Sequence, residues 1–248
     1  MEKKERKQRD VEHILEILVV VMLGLTALLT AWATWIGSLH GGQQATNYTV
    51  SNNLSSDGNA EYNAGVQSMM QDMLLWNEIS DLQLDIFAAQ DEGDDAAVDQ
   101  YCYKLYFKLN DNLTDEMAAA IGWEFDDGSA DLTSLVLDWL DKDEALETPF
   151  ADESFSDHYF VEANELLAES EATLEQGKQD NQNGDAFGLV TVIYGVVLFL
   201  LGINSSMKSK RNKIALIIIA LVGFAIATVY MLTIPMPTGF SIGSFFGG

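Results

Sequence analysis

The chain has 248 residues and carries 38 Asp and Glu against 13 Lys and Arg, a formal net charge of −25 at pH 7. Because a nucleic-acid-binding protein needs a basic face, this charge excludes nucleic acid as a partner. Hydrophobic residues still make up 48% of the chain and charged residues only 21%, so apolar and acidic residues must be separated along the sequence.

Three apolar runs are long enough to cross a bilayer, and they cover residues 14–36, 187–203 and 214–234. About 20 helical residues cross a hydrocarbon core of roughly 30 Å. The first run is longer than a typical signal-peptide core, so we expect an uncleaved anchor. The runs predict an all-α integral membrane protein with three transmembrane helices.

Basic segments lie at one end of each run. Residues 1–13 hold five Lys and Arg, and residues 204–213 hold four and no acid. The positive-inside rule places both segments in the cytoplasm, with residues 40–186 and the tail 235–248 outside. We expect a multi-pass protein of a prokaryotic plasma membrane, with its N-terminus inside and its C-terminus outside. The uncharged, Gly-rich tail is expected either to contact lipid or a neighbouring chain, or to be disordered.

Residues 40–186 hold the excess negative charge, with 33 Asp and Glu against four Lys. Apolar residues recur there at three- and four-residue steps, which predicts one long helix over 60–90. Three further helices are predicted, over 96–109, over 132–140 with Asp131 as N-cap, and over 160–179. Since the first and last helices adjoin spans 1 and 2, we expect a helical extracytoplasmic stalk and cap domain between these spans.

Several different short motifs are spread along the chain: Gly42–Ala45, Asn59–Ala64, Met73–Trp76, Leu137–Leu140, Thr148–Phe150, Phe199–Ile203 and Pro235. In these motifs the chain resembles an uncharacterised family of prokaryotic three-span membrane proteins of the domain-of-unknown-function type. The resemblance implies the same architecture, with a helical extracytoplasmic domain, and no established activity. Residues 124–131 depart from the family pattern, because they are acidic where many relatives are basic.

Two acidic clusters have the hard oxygen ligands that Ca²⁺ prefers. Their candidate ligands are Asp91, Glu92, Asp94, Asp95, Asp126, Asp127 and Asp131. Neither cluster has the spacing of a calcium-binding EF-hand loop, and solvated acidic loops are the alternative. The sequence therefore predicts no resident cofactor and, at most, weak binding of calcium or another cation.

Motifs of catalytic sites are absent from the sequence. His13, His40 and His158 are not paired at metal-ligand spacing, and the sequence has no phosphate-binding loop, dinucleotide fingerprint or zinc-protease motif. Cys102 is the single cysteine, so it cannot form an intrachain disulfide and is expected to be buried and inert. We expect a protein that is not an enzyme.

Small residues in the spans recur at spacings that let helices approach closely. The pairs are Ala27 and Ala31, Gly195 and Gly202, and Gly223 and Ala227. They either pack the three spans together or form a seam between copies of the chain.

The sequence favours a non-catalytic, membrane-anchored interaction or scaffold protein that forms a homo-oligomer. Its expected partners are membrane lipid, a second copy of the chain and an extracytoplasmic protein. The alternative is a homo-oligomeric cation-conducting pore, because a ring of acidic outer domains would concentrate cations at its vestibule.

Overall fold

The computed structural model describes residues 2–126, 128, 131–207 and 209–240, and side chains from Glu12 onward. Within these ranges the chain forms helices and no strand, which confirms the predicted all-α class. The α-helices are α1 (Glu2–Glu92), α2 (Asp95–Asn112), α3 (Asp115–Ala120), α4 (Leu132–Leu140), α5 (Glu153–Asp157), α6 (Val161–Ile203) and α7 (Lys210–Thr233). Short 3₁₀ turns lie at Asp143–Ala145, Pro149–Ala151, His158–Phe160 and Asn204–Ser206.

Three helical segments are long and apolar enough to cross a membrane: Glu12–Glu92, Glu153–Ser206 and Lys210–Thr233. This finding confirms the three predicted spans and indicates a multi-pass membrane protein. Large apolar side chains on these helices are 64–74% exposed, among them Val20, Leu28, Phe199 and Leu232. Such side chains suit contact with lipid.

The chain divides into two compact units. The apolar unit comprises Met1–Asn52 and Ser170–Gly248, and the acidic unit comprises Asn53–Glu169. The acidic unit holds 29 Asp and Glu against three Lys. Helices α1 and α6 contribute residues to both units.

In the apolar unit, α1, α6 and α7 pack together through two buried clusters. One joins the first part of α1 to the end of α6 and the first part of α7: Val19, Met22, Val197, Leu201, Ile217 and Ala220. The other joins later residues of α1 to earlier residues of α6 and later residues of α7: Ala33, Ile36, Phe187, Val190, Tyr194, Ala227 and Met231. Helix α6 therefore runs antiparallel to α1, and α7 runs parallel to α1.

Close contact between α1 and α6 continues to the end of the apolar unit. The hydroxyl of Ser51 donates to the carbonyl oxygen of Ser170 over 2.9 Å. A Cβ atom on Gly177 would lie 2.6 Å from the ring of Tyr48. Glycine is therefore needed at position 177 to let the tyrosine ring lie against the backbone of α6.

The acidic unit folds around its own core, which includes Trp76, Ile79, Leu105, Trp123 and Trp139. The rings of Trp123 and Trp139 meet edge to face at 5.7 Å. The indole of Trp139 donates to the carbonyl oxygen of Ile121 over 2.8 Å. The aromatic side chains thus tie α4 to the end of α3, while α1 and α2 form the wall of the core.

The structure extends several predicted helices and adds two short ones. Helix α4 covers the predicted residues 132–140, and Asp131 caps it as predicted. The predicted end of the last outer helix at residue 179 is wrong, because α6 continues without a break to Ile203. Residues 180–185 are rich in turn-forming Asp, Asn and Gly, but they contain no Pro, and the helix continues through them. Helices α3 and α5 were not predicted, since six and five residues are too few for a helical period to be visible.

Candidate functional site

The first acidic cluster forms the turn between α1 and α2. Asp91, Glu92, Asp94 and Asp95 are all exposed. Asp94 is the N-cap of α2, and its carboxylate accepts a hydrogen bond from the backbone N–H of Ala97 over 3.1 Å. These residues therefore connect two helices, and at least one carboxylate oxygen is used by the cap.

The second acidic cluster is divided between a loop contact and a helix cap. The Asp126 carboxylate accepts from the hydroxyl of Tyr106 over 3.1 Å and from the backbone N–H of Gly128 over 3.1 Å. Asp131 accepts from the backbone N–H of Ser134 over 3.0 Å. Asp127 lies outside the described residues.

The described residues of the two acidic clusters do not form an assembled metal site. Among the residues that the structure describes, no three His, Cys, Asp or Glu side chains lie close enough together to hold a metal ion. Weak cation binding by these clusters stays a prediction.

The small residues of the spans fall into two groups. Gly223 and Ala227 lie inside the apolar unit, where Ala227 is fully buried and a Cβ on Gly223 would lie 3.2 Å from Val197. The second group, which consists of Ala27, Ala31, Gly195 and Gly202, is exposed. A Cβ on either Gly195 or Gly202 would meet no described atom within 4 Å.

A buried polar cluster, not predicted from the sequence, joins all three spans of the apolar unit. His40 of α1 and Asp180 of α6 are each 1% exposed, and their Nδ1 and Oδ1 atoms are 3.2 Å apart. The second carboxylate oxygen of Asp180 accepts from the side-chain amide of Asn47 over 2.9 Å. The Nε2 atom of His40 lies 3.1 Å from the carbonyl oxygen of Pro235, just after α7.

Both ring nitrogens of His40 face oxygen atoms, one of Asp180 and one of Pro235. A neutral imidazole can donate from only one nitrogen. In its neutral form, His40 therefore donates to one of these two oxygen atoms and not to both.

One sequence signal could have found this cluster. His40 follows the first apolar run by four residues, and Asp180 precedes the second by seven. In an antiparallel helix pair, these positions lie at similar depth. A histidine and an aspartate at similar depth on two antiparallel helices could therefore have been paired from the sequence.

The first residues of the tail also contact α1. The side-chain amide of Gln43 donates to the carbonyl oxygen of Thr238 over 2.5 Å and accepts from its backbone N–H over 3.2 Å. The ring of Phe240 meets Trp32 and Trp35 edge to face at 6.1 and 5.8 Å. Residues 241–248 lie outside the described residues, so the structure tests the prediction for the tail only as far as Phe240.

Two side chains of the acidic unit have pKa values that are raised by their surroundings. Burial raises the pKa of the Cys102 thiol to about 11, and the nearby Asp99 carboxylate adds to the effect. Burial and the adjacent Asp72 carboxylate also raise the pKa of Tyr159, whose hydroxyl donates to Asp72 over 2.6 Å. The thiol therefore stays protonated near neutral pH, as expected for an inert cysteine, and the phenol stays a hydrogen-bond donor.

An open groove with apolar and basic side chains crosses the acidic unit between α1 and α2. It is lined by Leu82, Tyr103, Lys104, Phe107, Lys108, Asp111 and Asn112. Tyr103 and Phe107 are 57% and 40% exposed, and their rings lie 4.8 Å apart. Lys108 pairs with Glu78 of α1 over 2.5 Å. We call this surface the α1/α2 groove.

Apolar side chains also remain exposed on α1 within the acidic unit. Met70, Met73, Leu74 and Leu84 are 42–65% exposed, and their spacing puts them on one face of the helix. They belong to the apolar stripe that predicted the long helix, but only its other members, such as Trp76 and Ile79, reach the core. Large exposed apolar surfaces on an acidic unit are typical of interaction sites.

Comparison of the chain with protein-family models, with curated proteins and with solved structures finds no match.

Proposed function

We propose that this protein is a non-catalytic, membrane-anchored interaction protein whose acidic unit lies outside the cell and docks a protein partner. The observation that carries the proposal is the α1/α2 groove, where Tyr103 and Phe107 remain exposed in a unit with 29 acidic residues. Membership of the family that the sequence motifs resemble is part of the proposal, and it is supported by three helices that are long and apolar enough to cross a membrane.

The chemistry of the groove suggests the kind of partner segment. An amphipathic helix could place apolar side chains against Leu82, Tyr103 and Phe107, as helices do in other apolar grooves. Within the groove, Lys104 and Lys108 favour an acidic side chain on the partner. Residues that flank the docked segment would face the acidic surface of the rest of the unit, which favours basic side chains and raises the rate of encounter at low salt. The partner that fits is therefore an amphipathic helix with an apolar ridge and basic flanks.

Photo-crosslinking in cells tests this role. A photoreactive amino acid at Phe107 should give a defined crosslinked product, and one at Leu146 should not. Leu146 is a suitable control because it is an apolar side chain, 53% exposed, that does not line the groove. Equal products at both positions, or none at Phe107, would contradict docking at the groove.

Homo-oligomer formation is part of the same proposal, supported by the exposed small residues on the spans. Ala27, Ala31, Gly195 and Gly202 have room for close approach by another helix. Mass determination in mild detergent should give a multiple of the 27.3 kDa chain. A monomer at all protein and salt concentrations would exclude the homo-oligomer. Conductance in planar bilayers would instead favour the cation pore.

Thiol labelling tests the proposed orientation. Cysteines introduced at Gln90 and Ser209, which are both exposed, should differ in intact cells: an impermeant reagent should label Gln90→Cys and spare Ser209→Cys until the cells are lysed. The buried Cys102 leaves a low background, because its pKa of about 11 keeps the thiol protonated at the pH of labelling. The reverse pattern would place the acidic unit in the cytoplasm.

A further inference from the structure

A cavity of about 280 Å³ opens between the three helices of the apolar unit, at the end where α6 stops and α7 begins. Its lining includes the apolar side chains of Val19, Leu23, Leu201 and Ile217. Four charged side chains also line it: Glu12, Glu16, Lys210 and Lys213. The cavity is therefore amphipathic, and it lies where the apolar runs meet the charged segments.

An unpaired polar atom marks this cavity as a binding site. Asn204 lines the cavity and is 8% exposed, and its side-chain oxygen has no hydrogen-bond partner among the described residues. A buried acceptor without a donor is destabilising. A ligand that brings an N–H or O–H group would remove this cost.

The charges around the cavity favour a ligand that carries both signs. Glu12 and Glu16 balance Lys210 and Lys213, and the only ion pair among these four is that of Lys210 with Glu12 at 3.6 Å. The helix α7 begins beside them, and the side chain of its N-cap residue Ser209 makes no capping hydrogen bond. Its first backbone N–H groups and the two lysines suit a phosphate, whereas the two glutamates suit a cation.

We propose that this cavity binds the headgroup of a phospholipid with a primary amine, of the phosphatidylethanolamine class. The phosphate lies near Lys210, Lys213 and the start of α7. The ammonium group donates to the oxygen of Asn204 and faces Glu12 and Glu16. The cavity is small for a ligand pocket, so it holds the headgroup, and the acyl chains run along exposed apolar side chains such as Val20.

The proposed contacts favour the amine-bearing headgroup over chemically similar headgroups. A choline headgroup has the same net charge but no N–H donor, so it leaves the Asn204 oxygen unpaired. A glycerol headgroup has donors but no positive charge, so it leaves the glutamates unbalanced. A free phosphate monoester lacks the acyl chains that hold a lipid at the apolar wall. The proposal requires membrane residence and does not depend on which side the cavity faces.

Lipid binding to the delipidated full-length protein in detergent tests the proposal. Dioleoyl-phosphatidylethanolamine, -choline and -glycerol would be titrated separately and followed by native mass spectrometry and by the shift in Tm. We expect the ethanolamine lipid to bind about tenfold more tightly than the choline lipid, as one hydrogen bond to a charged donor implies. Equal binding of these two, or tighter binding of the glycerol lipid, would overturn the proposal.

Variants locate the site on the protein. Asn204→Ala and Lys213→Gln should each weaken binding of the ethanolamine lipid about tenfold. Arg211→Gln and Asn212→Ala are the matched controls, because these exposed residues neighbour the cavity without lining it, and they should bind lipid as the unaltered chain does. Unchanged lipid binding in Asn204→Ala would contradict the site.

A stability measurement distinguishes loss of binding from loss of folding. Since the Asn204 oxygen is unpaired in the lipid-free chain, Asn204→Ala should not lower the Tm of the lipid-free protein, yet it should reduce the rise in Tm that the ethanolamine lipid causes. Soluble phosphoethanolamine should have little effect at the same concentration. If it raises the Tm as much as the lipid does, the ligand is a soluble phosphate monoester and the lipid assignment is wrong.

Discussion

The apolar unit and the acidic unit share the same two long helices, but they expose opposite kinds of side chain. The apolar unit buries His40, Asp180 and Ser51 while large aliphatic residues such as Leu28 are exposed. The acidic unit buries Trp76 and its neighbours and leaves most of its carboxylates exposed, with Asp72 as a buried exception. Apolar surfaces suit lipid and charged surfaces suit water. The comparison therefore shows that one part of α1 and α6 is suited to lipid and another part to water.

The two units are accordingly stabilised by different forces. Burial of aromatic and aliphatic side chains from water stabilises the acidic unit. Lipid is as apolar as the spans, so close packing and hydrogen bonds between helices stabilise the apolar unit. Substitutions that remove one kind of interaction should therefore affect one unit more than the other.

The largest effect is expected in the core of the acidic unit. Trp139→Ala removes a side chain that is 2% exposed and its hydrogen bond to Ile121, which should lower the free energy of unfolding by about 4 kcal/mol. Denaturant unfolding followed by near-UV circular dichroism measures the change. The exposed Leu84→Ala is the control and should change stability by less than about 0.5 kcal/mol. A similar loss in both variants would contradict the assigned core.

Loss of the buried histidine should have the next largest effect. His40→Ala leaves the Asp180 carboxylate buried without its imidazole partner, which should cost about 3 kcal/mol. Thermal unfolding in detergent, followed at the apolar unit, measures the loss. The double variant with Leu at positions 40 and 180 should recover much of it, because no buried charge is then left without its partner, although the half-buried Asn47 amide loses its acceptor. If His40→Ala is as stable as the unaltered chain, the polar cluster does not stabilise the unit.

Two glycine substitutions compare packing inside the chain with packing between chains. Gly223→Leu would press against Val197, 3.2 Å from the added Cβ, and should cost about 2 kcal/mol. Gly195→Leu has open space around it and should leave the monomer stable while weakening the homo-oligomer. Unfolding and particle mass, measured on both variants, check this difference. An unchanged particle mass in Gly195→Leu would exclude this seam.

The smallest effect is expected at a helix cap of the acidic unit. Asp131→Ala removes the acceptor for the backbone N–H of Ser134 and should cost about 1 kcal/mol. Asp131→Asn keeps an acceptor oxygen, so it should cost much less, and denaturant unfolding distinguishes the two. Equal losses would indicate that the charge of Asp131, rather than its hydrogen bond, stabilises α4.

Local signals in the sequence were enough to predict some features accurately. The cap at Asp131 and the bounds of α4 follow from short-range patterns, because a capping bond joins residues three positions apart. The inert position of Cys102 also agrees with the prediction from its aromatic neighbours. By contrast, the exposed apolar face of α1 depends on which apolar residues of that helix fail to reach the core, and helical spacing treats Trp76 and Leu74 alike.

By itself, the sequence determined the helical class, the three apolar spans and the concentration of acids in one part of the chain. These properties depend on residues that are neighbours along the chain. Only the tertiary structure decided that His40 meets Asp180 and Pro235. It also decided that the side-chain oxygen of Asn204 has no partner among the described residues, in a cavity lined by four charged side chains. Finally, it decided that Gly195 has open space around it, whereas Gly223 faces Val197. Each of these facts depends on the rotation and depth at which α1, α6 and α7 pack, and sequence periodicity does not specify them.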